Sequence, residues 1–232
     1  MSAAQSSQWS KLMVARVLGS VAFRLGCYAV MIWLALLGEV RAAPTLPDAV
    51  LAVVPYVETV DRYNYLLWLA SYVPLALILL AMHPARFVRY SMSAGFIGLI
   101  RGVCIFVTGL GPVNGHDVNV GLSDEKRWST FWHLVNPFGF FNTDTGARVY
   151  LTKDLFFSGH TATTFLLLLY CWSVPKLRWP ALVCHVLIVA SVFLAHLHYT
   201  IDVIGAYAIT FSVFTISERV FGRGASKRSL AM

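Results

Sequence analysis

Residues 91–111 read SMSAGFIGLIRGVCIFVTGLG, an apolar run broken by a single charge at Arg101. A stretch of about 20 mostly apolar residues is what a helix needs to cross roughly 30 Å of hydrocarbon. Five further runs of this kind lie near 22–38, 65–82, 155–174, 179–197 and 200–217. The expected fold is therefore all-α, a bundle of six transmembrane helices, with hydrophilic loops at about 39–64 and 112–154. The last three runs abut so closely that residues 1–232 read as one integral membrane domain.

Composition agrees. Of 232 residues, 58% are hydrophobic and 12% are charged, against roughly 25% charged in a soluble domain. The net charge of +7 is distributed as a topology signal and not as a nucleic-acid surface. Lys11, Arg16, Arg86, Arg89, Lys176, Arg178, Arg223 and Lys227 fall on one side of a six-helix topology. The opposite loops carry Glu39, Asp48, Glu58, Asp61, Asp117, Asp124, Glu125, Asp144 and Asp154. Positive residues stay inside, so both termini are expected in the cytoplasm and the long loops outside, with no nucleic-acid partner. Cys27, Cys104, Cys171 and Cys184 all fall within spans and show no CxxC spacing, which points to packing and not to a disulfide or zinc framework. The first apolar run lacks a convincing cleavage site and reads as the first helix.

Polar residues inside such spans are costly and usually mark function. Arg101 must face the bundle interior or a water-filled cavity. No acidic residue in the span shares its depth, so a lipid phosphate is a natural partner, and a packing ion pair is the alternative. Ser158-Gly159-His160-Thr161 stands at the outer start of the fourth span, just after Asp154. Free N–H groups and hydroxyls at a helix start make an anion site, although a simple cap would look the same. In His198-Tyr199-Thr200-Ile201-Asp202 the i, i+4 spacing can bring carboxylate to imidazole, leaving Nε2 to attack, or it can be a self-satisfied boundary pair. The fourth span starts outside and the fifth returns outside, so His160 and His198 reach the same leaflet. His185 reads as a packing histidine, and His196, His133 and Glu58 have no assigned role. The aromatic run Trp128, Phe131, Trp132, Phe138, Phe140 and Phe141 reads as an interfacial belt, a reentrant segment or a lipid entrance.

These motifs, in order over about 44–210, resemble the sphingomyelin synthase branch of the lipid phosphate phosphatase (PAP2) superfamily. Pro44-Thr45-Leu46-Pro47-Asp48 looks like its first-loop signature, Arg101 to Pro112 like its third-helix motif. Asp154 to Thr161 and His198 to Val203 look like its two catalytic blocks. Two departures stand out: Thr152-Lys153 replace the usual Cys-Gly, and Val192 occupies the position where phosphatases of the wider superfamily carry arginine. The resemblance implies a PAP2-like helical bundle and a headgroup transfer from a membrane phospholipid donor to a lipid alcohol acceptor, ceramide or diacylglycerol. It implies His198 as nucleophile, Asp202 as its partner and His160 as acid and base. Arg101, Asp154, Ser158, Gly159, Thr161 and Tyr199 are implied around the substrate. No cofactor and no metal ligand are implied, and the oligomeric state, including a homo-oligomer, stays open. A hydrolase of the same fold and a noncatalytic lipid-binding or transport bundle are the alternatives.

Overall fold

The computed structural model describes residues 9–115, 117, 119–136 and 151–229, with side chains to 221. Among these the regular structure is entirely helical: α1 Lys11–Glu39, α2 Glu58–Met82, α3 Pro84–Val107, α4 Asp124–Val135, α5 Gly159–Cys171, α6 Pro175–Leu194 and α7 Thr200–Ser229. Five of the helices, α1, α2, α3, α6 and α7 to Phe221, are long and apolar enough to cross a membrane.

The fourth expected span is different. In place of 155–174, α5 has 13 residues, roughly 20 Å at 1.5 Å per residue, short of the ~30 Å hydrocarbon core. Its start is delayed because residues 154–158 bond to other elements, as described below. It packs against α6 and α7 as well as α2 and α3, and Ala162, Leu166, Leu167 and Cys171 are buried.

Helix starts and ends explain the other shifts. α1 begins at Lys11 and not at residue 22, because Ser10 caps it by accepting from the Met13 amide at 3.2 Å. α2 takes in the polar turn from Glu58, where Glu58 and Asp61 sit favourably at the positive end of the helix. α3 stops at Val107, since the Thr108 hydroxyl turns back to the Cys104 carbonyl and the Gly111 amide donates to Pro44 instead. α4 was not expected as a helix. Ser123 caps it, and Trp128 and Phe131 pack on Trp33 of α1. Phe138, Phe140 and Phe141 of that aromatic run lie outside the described residues.

The tightest pairing is α1 with α3, and small residues make it. Ser91 donates to the Ser20 carbonyl at 3.0 Å, Gly95 lies against Phe23 and Arg24, and Gly102 lies against Met31. The register is constant along the pair, with the seven-residue recurrence of parallel packed helices. In the same helix pair, Arg24, which the sequence reading did not single out, is held by the phenols of Tyr72 and Tyr90. Arg89 of α3 pairs with Glu218 of α7 at 3.0 Å. Deep in α6, His185 is satisfied by Thr164 Oγ1 at 2.9 Å and the Tyr207 hydroxyl at 2.8 Å.

A Cβ at Gly102 would sit 2.8 Å from Met31 Cα, whereas one at Gly98 meets nothing within 4 Å. Gly102→Ala should therefore lower the thermal unfolding temperature in detergent, overpacking costing about 1–3 kcal/mol. Gly98→Ala should be neutral or stabilising, by up to about 1 kcal/mol of helix propensity. Equal responses at the two positions would refute close α1–α3 packing.

Candidate active site

The two histidine blocks meet through the main chain. The Ser158 amide donates to the Asp202 carbonyl at 3.1 Å, joining the start of α5 to the first turn of α7. Ser158 is the N-cap of α5: its Oγ accepts from the Thr161 amide at 3.4 Å and the Thr161 hydroxyl at 3.1 Å. Both residues are fully buried, so their hydroxyls serve the cap, and the amides of Gly159 and His160 are left at the mouth of the helix.

His198 stands just before α7, and Asp202 is the third residue of that helix. The carboxylate reaches back: Oδ2 accepts from the Tyr199 amide at 3.0 Å and lies 3.4 Å from His198 Nδ1. This is one arm of a capping box, with an imidazole added. Asp202 is fully buried, and its Oδ1 has no hydrogen-bond partner among the described residues. His160 contacts the Trp68 ring edge to face at 5.6 Å between centroids.

Arg101 corrects an expectation. An acidic residue does share its depth, because the segment after residue 150 dips inward. Its Nη1 lies 2.8 Å from Asp154 Oδ1, Nη2 donates to the Asp154 carbonyl at 3.0 Å, and Nε donates to the Phe157 carbonyl at 2.6 Å. The Asp154 contact is an ion pair by distance without an aligned hydrogen bond. All three guanidinium nitrogens thus hold residues 154–157. Gly159 belongs to the same arrangement: a Cβ there would sit 3.1 Å from Arg101 Cζ.

Tyr199, expected at the substrate, is instead buried with its hydroxyl fully engaged. It donates to the Gly111 carbonyl at 3.0 Å and accepts from the Leu46 amide at 3.1 Å. That bond brings in the first loop, where Asp48 caps α7 from outside. Asp48 Oδ2 accepts from the Thr200 amide at 2.6 Å, and Oδ1 accepts from the Thr200 hydroxyl at 2.9 Å and from the amides of Val50 and Leu51. Burial pushes the Asp48 carboxyl up, and these hydrogen bonds outweigh it, so its pKa lies below the ordinary value. His196, at φ 49°, ties the same loop down through Nε2 to the Val54 carbonyl at 2.9 Å.

The sequence reading also missed a buried knot beneath the site. Glu39 at the end of α1 accepts from the Lys153 amide at 2.6 Å, the Thr152 hydroxyl at 3.0 Å and Asn119 Nδ2 at 2.8 Å. Lys153 Nζ donates to the Glu39 and Arg41 carbonyls, both at 2.6 Å, and pairs with Asp117 at 2.8 Å. Thr152 and Lys153, which depart from the resembled pattern, are thus what fastens this segment to α1. The only sequence signal for the knot was an acidic residue at the end of an apolar run.

Residues 153–219 match the family described as PAP2 superfamily C-terminal. Phosphatidylcholine:ceramide cholinephosphotransferase 2 of Homo sapiens is 30% identical over 185 residues, covering 72% of this chain and 48% of that protein. Phosphatidylcholine:ceramide cholinephosphotransferase 1 of Homo sapiens is 32% identical over 135 residues, covering 54% of this chain and 32% of that protein. The chain belongs to the PAP2 superfamily, on its sphingomyelin synthase-like branch. It spans about half the length, or less, of the curated relatives it matches. In this PAP2 protein the matched stretch holds His160, His198 and Asp202, while Asp48 and Arg101, which fix the approach of α7 and α5, lie outside it.

Asp48→Asn should destabilise the protein by about 1 kcal/mol near neutral pH, the scale of a lost helix cap. The sign with pH follows from the lowered carboxyl pKa: the contribution is full above the unfolded value and disappears as pH falls through the folded one. The gap in unfolding temperature between native protein and variant should therefore close below about pH 4. A gap constant from pH 7 to pH 3 would contradict the capping role.

Proposed function

We propose that the protein is a phospholipid headgroup phosphotransferase that moves a phosphocholine- or phosphoethanolamine-type headgroup from a glycerophospholipid to ceramide or another lipid alcohol. The observation that carries the reading is the Ser158–Asp202 bond, which brings the His160 helix and the His198–Asp202 pair together. Similarity to proteins named for phosphatidylcholine, ceramide and cholinephosphotransfer supports the same substrate class.

In the proposed mechanism His198 Nε2 attacks the donor phosphorus while Asp202 holds Nδ1–H and stabilises the imidazolium. The bond from phosphorus to the diacylglycerol oxygen breaks, and His160 gives that oxygen its proton. Neutral His160 then takes the proton of the acceptor hydroxyl as that oxygen attacks phosphorus, and the phosphorus–nitrogen bond breaks. Amides at the mouth of α5 face the phosphate oxygens. Arg101 acts by holding residues 154–157 beneath them. The protein is one integral membrane domain of six crossings, the fourth made by α5 with the segment before it. Its termini are cytoplasmic and its site lies on the opposite face.

Purified protein given a headgroup-labelled phospholipid with ceramide should yield label chiefly on a second lipid. Label released mainly as water-soluble phosphate ester would establish the hydrolase, and no release at all would establish a noncatalytic bundle. Asp202→Asn should stay folded and lose roughly a hundredfold or more in turnover. Near-native turnover would reduce the pair to a structural contact. With a p-nitrophenyl phosphodiester, whose leaving group needs no proton, His160→Ala should give a nitrophenol burst of about one per site and His198→Ala none. A burst from His198→Ala would reverse the two roles.

A further inference from the structure

The transferase reading asks two things of His160: a ring nitrogen open to the substrate, and an imidazole held in one orientation. Other histidines of this structure are oriented through their nitrogens. His198 faces Asp202, His185 sits between Thr164 and Tyr207, and His196 is tied to the Val54 carbonyl. His160 is half-buried, and among the described residues neither of its ring nitrogens has a hydrogen bond. Its ring contact is with Trp68 of α2, 5.6 Å away between centroids and tilted by 71°. Such a contact orients a ring without taking the lone pair of a nitrogen.

Trp68 is itself clamped. Its Nε1 donates to Thr163 Oγ1 at 3.1 Å, and Thr163 stands three residues after His160, on the same face of α5. One indole therefore meets α5 at both residues. From behind, Trp68 stacks on Tyr72 at 5.1 Å and 8°, and Tyr72 is buried and bonded to Arg24 of α1. Arg24, Tyr72 and Trp68 thus form a backing for the His160 ring. We propose that Trp68 is a positioning residue for the acid–base step, holding the His160 imidazole where its N–H meets the departing lipid oxygen. The proton passes from the His160 nitrogen to that oxygen as the oxygen's bond to phosphorus breaks, and the indole neither gives nor takes one. The proposal rests on the reading of this site as a headgroup transferase.

The test separates steps that need the His160 proton from those that do not. In full-length protein in detergent, Trp68→Leu should lower transfer from a headgroup-labelled glycerophospholipid to ceramide by about tenfold or more, through kcat and not KM. The nitrophenol burst from a p-nitrophenyl phosphodiester should keep its size and rate within about twofold, since that leaving group needs no proton. Thr163→Val removes the acceptor and leaves the indole, so it should show the same pattern with a smaller loss, about threefold or more. Equal losses with both substrates, a change in KM alone, or no loss in either variant would overturn the assignment. Unfolding temperatures control for folding, and Thr163→Val carries the test where Trp68→Leu unfolds. A second readout does not depend on turnover. In protein isotopically labelled at histidine Cε1, the His160 ring signal, identified by its absence from His160→Ala, should shift and broaden in both variants. An unchanged signal would overturn the clamp. A chain that transfers nothing would sink the transferase reading, and the His160 signal would still decide whether Trp68 holds the ring.

Discussion

The Arg101 guanidinium sits among the apolar faces of α1 and α3, where a cation without partners would be prohibitively costly. Its donors are met by one carboxylate and two carbonyls of residues 154–157, and that requirement shapes the surroundings of the α5 start. The segment is held to Arg101 and the Ser158 amide is turned to Asp202, and α5 starts at Gly159 with Ser158 as its cap. Gly159 must lack a side chain because the guanidinium occupies its flank. The start of α5, set in this way, then presents the Ser158 amide to the Asp202 carbonyl. Arg101, read from the sequence as facing a lipid phosphate, holds the segment that leads into α5.

Around that centre, loops act as caps. Asp48 closes the N-terminus of α7 from a distance in sequence, Tyr199 ties the same loop to residue 111, and Lys153 closes the C-terminal carbonyls of α1. Each satisfies backbone groups, of a helix end at Asp48 and Lys153 and of loops at Tyr199, that lipid could not. Cations at a helix C-terminus and anions at an N-terminus also agree with the helix dipole. These loops are therefore part of the frame around His198, which Asp202 and the Tyr199 amide hold.

The crossings of α1, α2, α3, α6 and α7 were legible because hydropathy follows directly from residue type. The meeting of the His160 and His198–Asp202 blocks could be anticipated, because their spacing from helix starts can be counted. What escaped depends on long-range pairing. Nothing local in Arg101 announces Asp154, and nothing in Asp48 announces Thr200. The short α5 escaped because hydropathy registers apolar length without knowing that carbonyls 154 and 157 are spent elsewhere. α4 escaped because its charged first turn and mixed composition carry no apolar run, although Ser123 and the acidic first turn are a readable start signal. The Tyr199 bonds escaped too: its hydroxyl donates to the Gly111 carbonyl and accepts from the Leu46 amide, partners far off in sequence.

Asp202 has one oxygen shared between the Tyr199 amide and a 3.4 Å contact with His198, while its other oxygen, Oδ1, is buried without a partner. An unmet buried acceptor costs about 1–3 kcal/mol, and a 3.4 Å contact exceeds the usual 2.7–3.2 Å of a protein N–H···O hydrogen bond. The pair is therefore under-bonded at rest. In the proposed reaction His198 becomes cationic as it takes the phosphoryl group, and a charge-assisted bond to a desolvated carboxylate is roughly twice as strong as a neutral one. The interaction then gains most where charge develops and least in the resting protein, which is the condition for lowering a barrier and not merely tightening binding. A pair built for stability alone would have both oxygens satisfied from the outset, as those of Asp48 are.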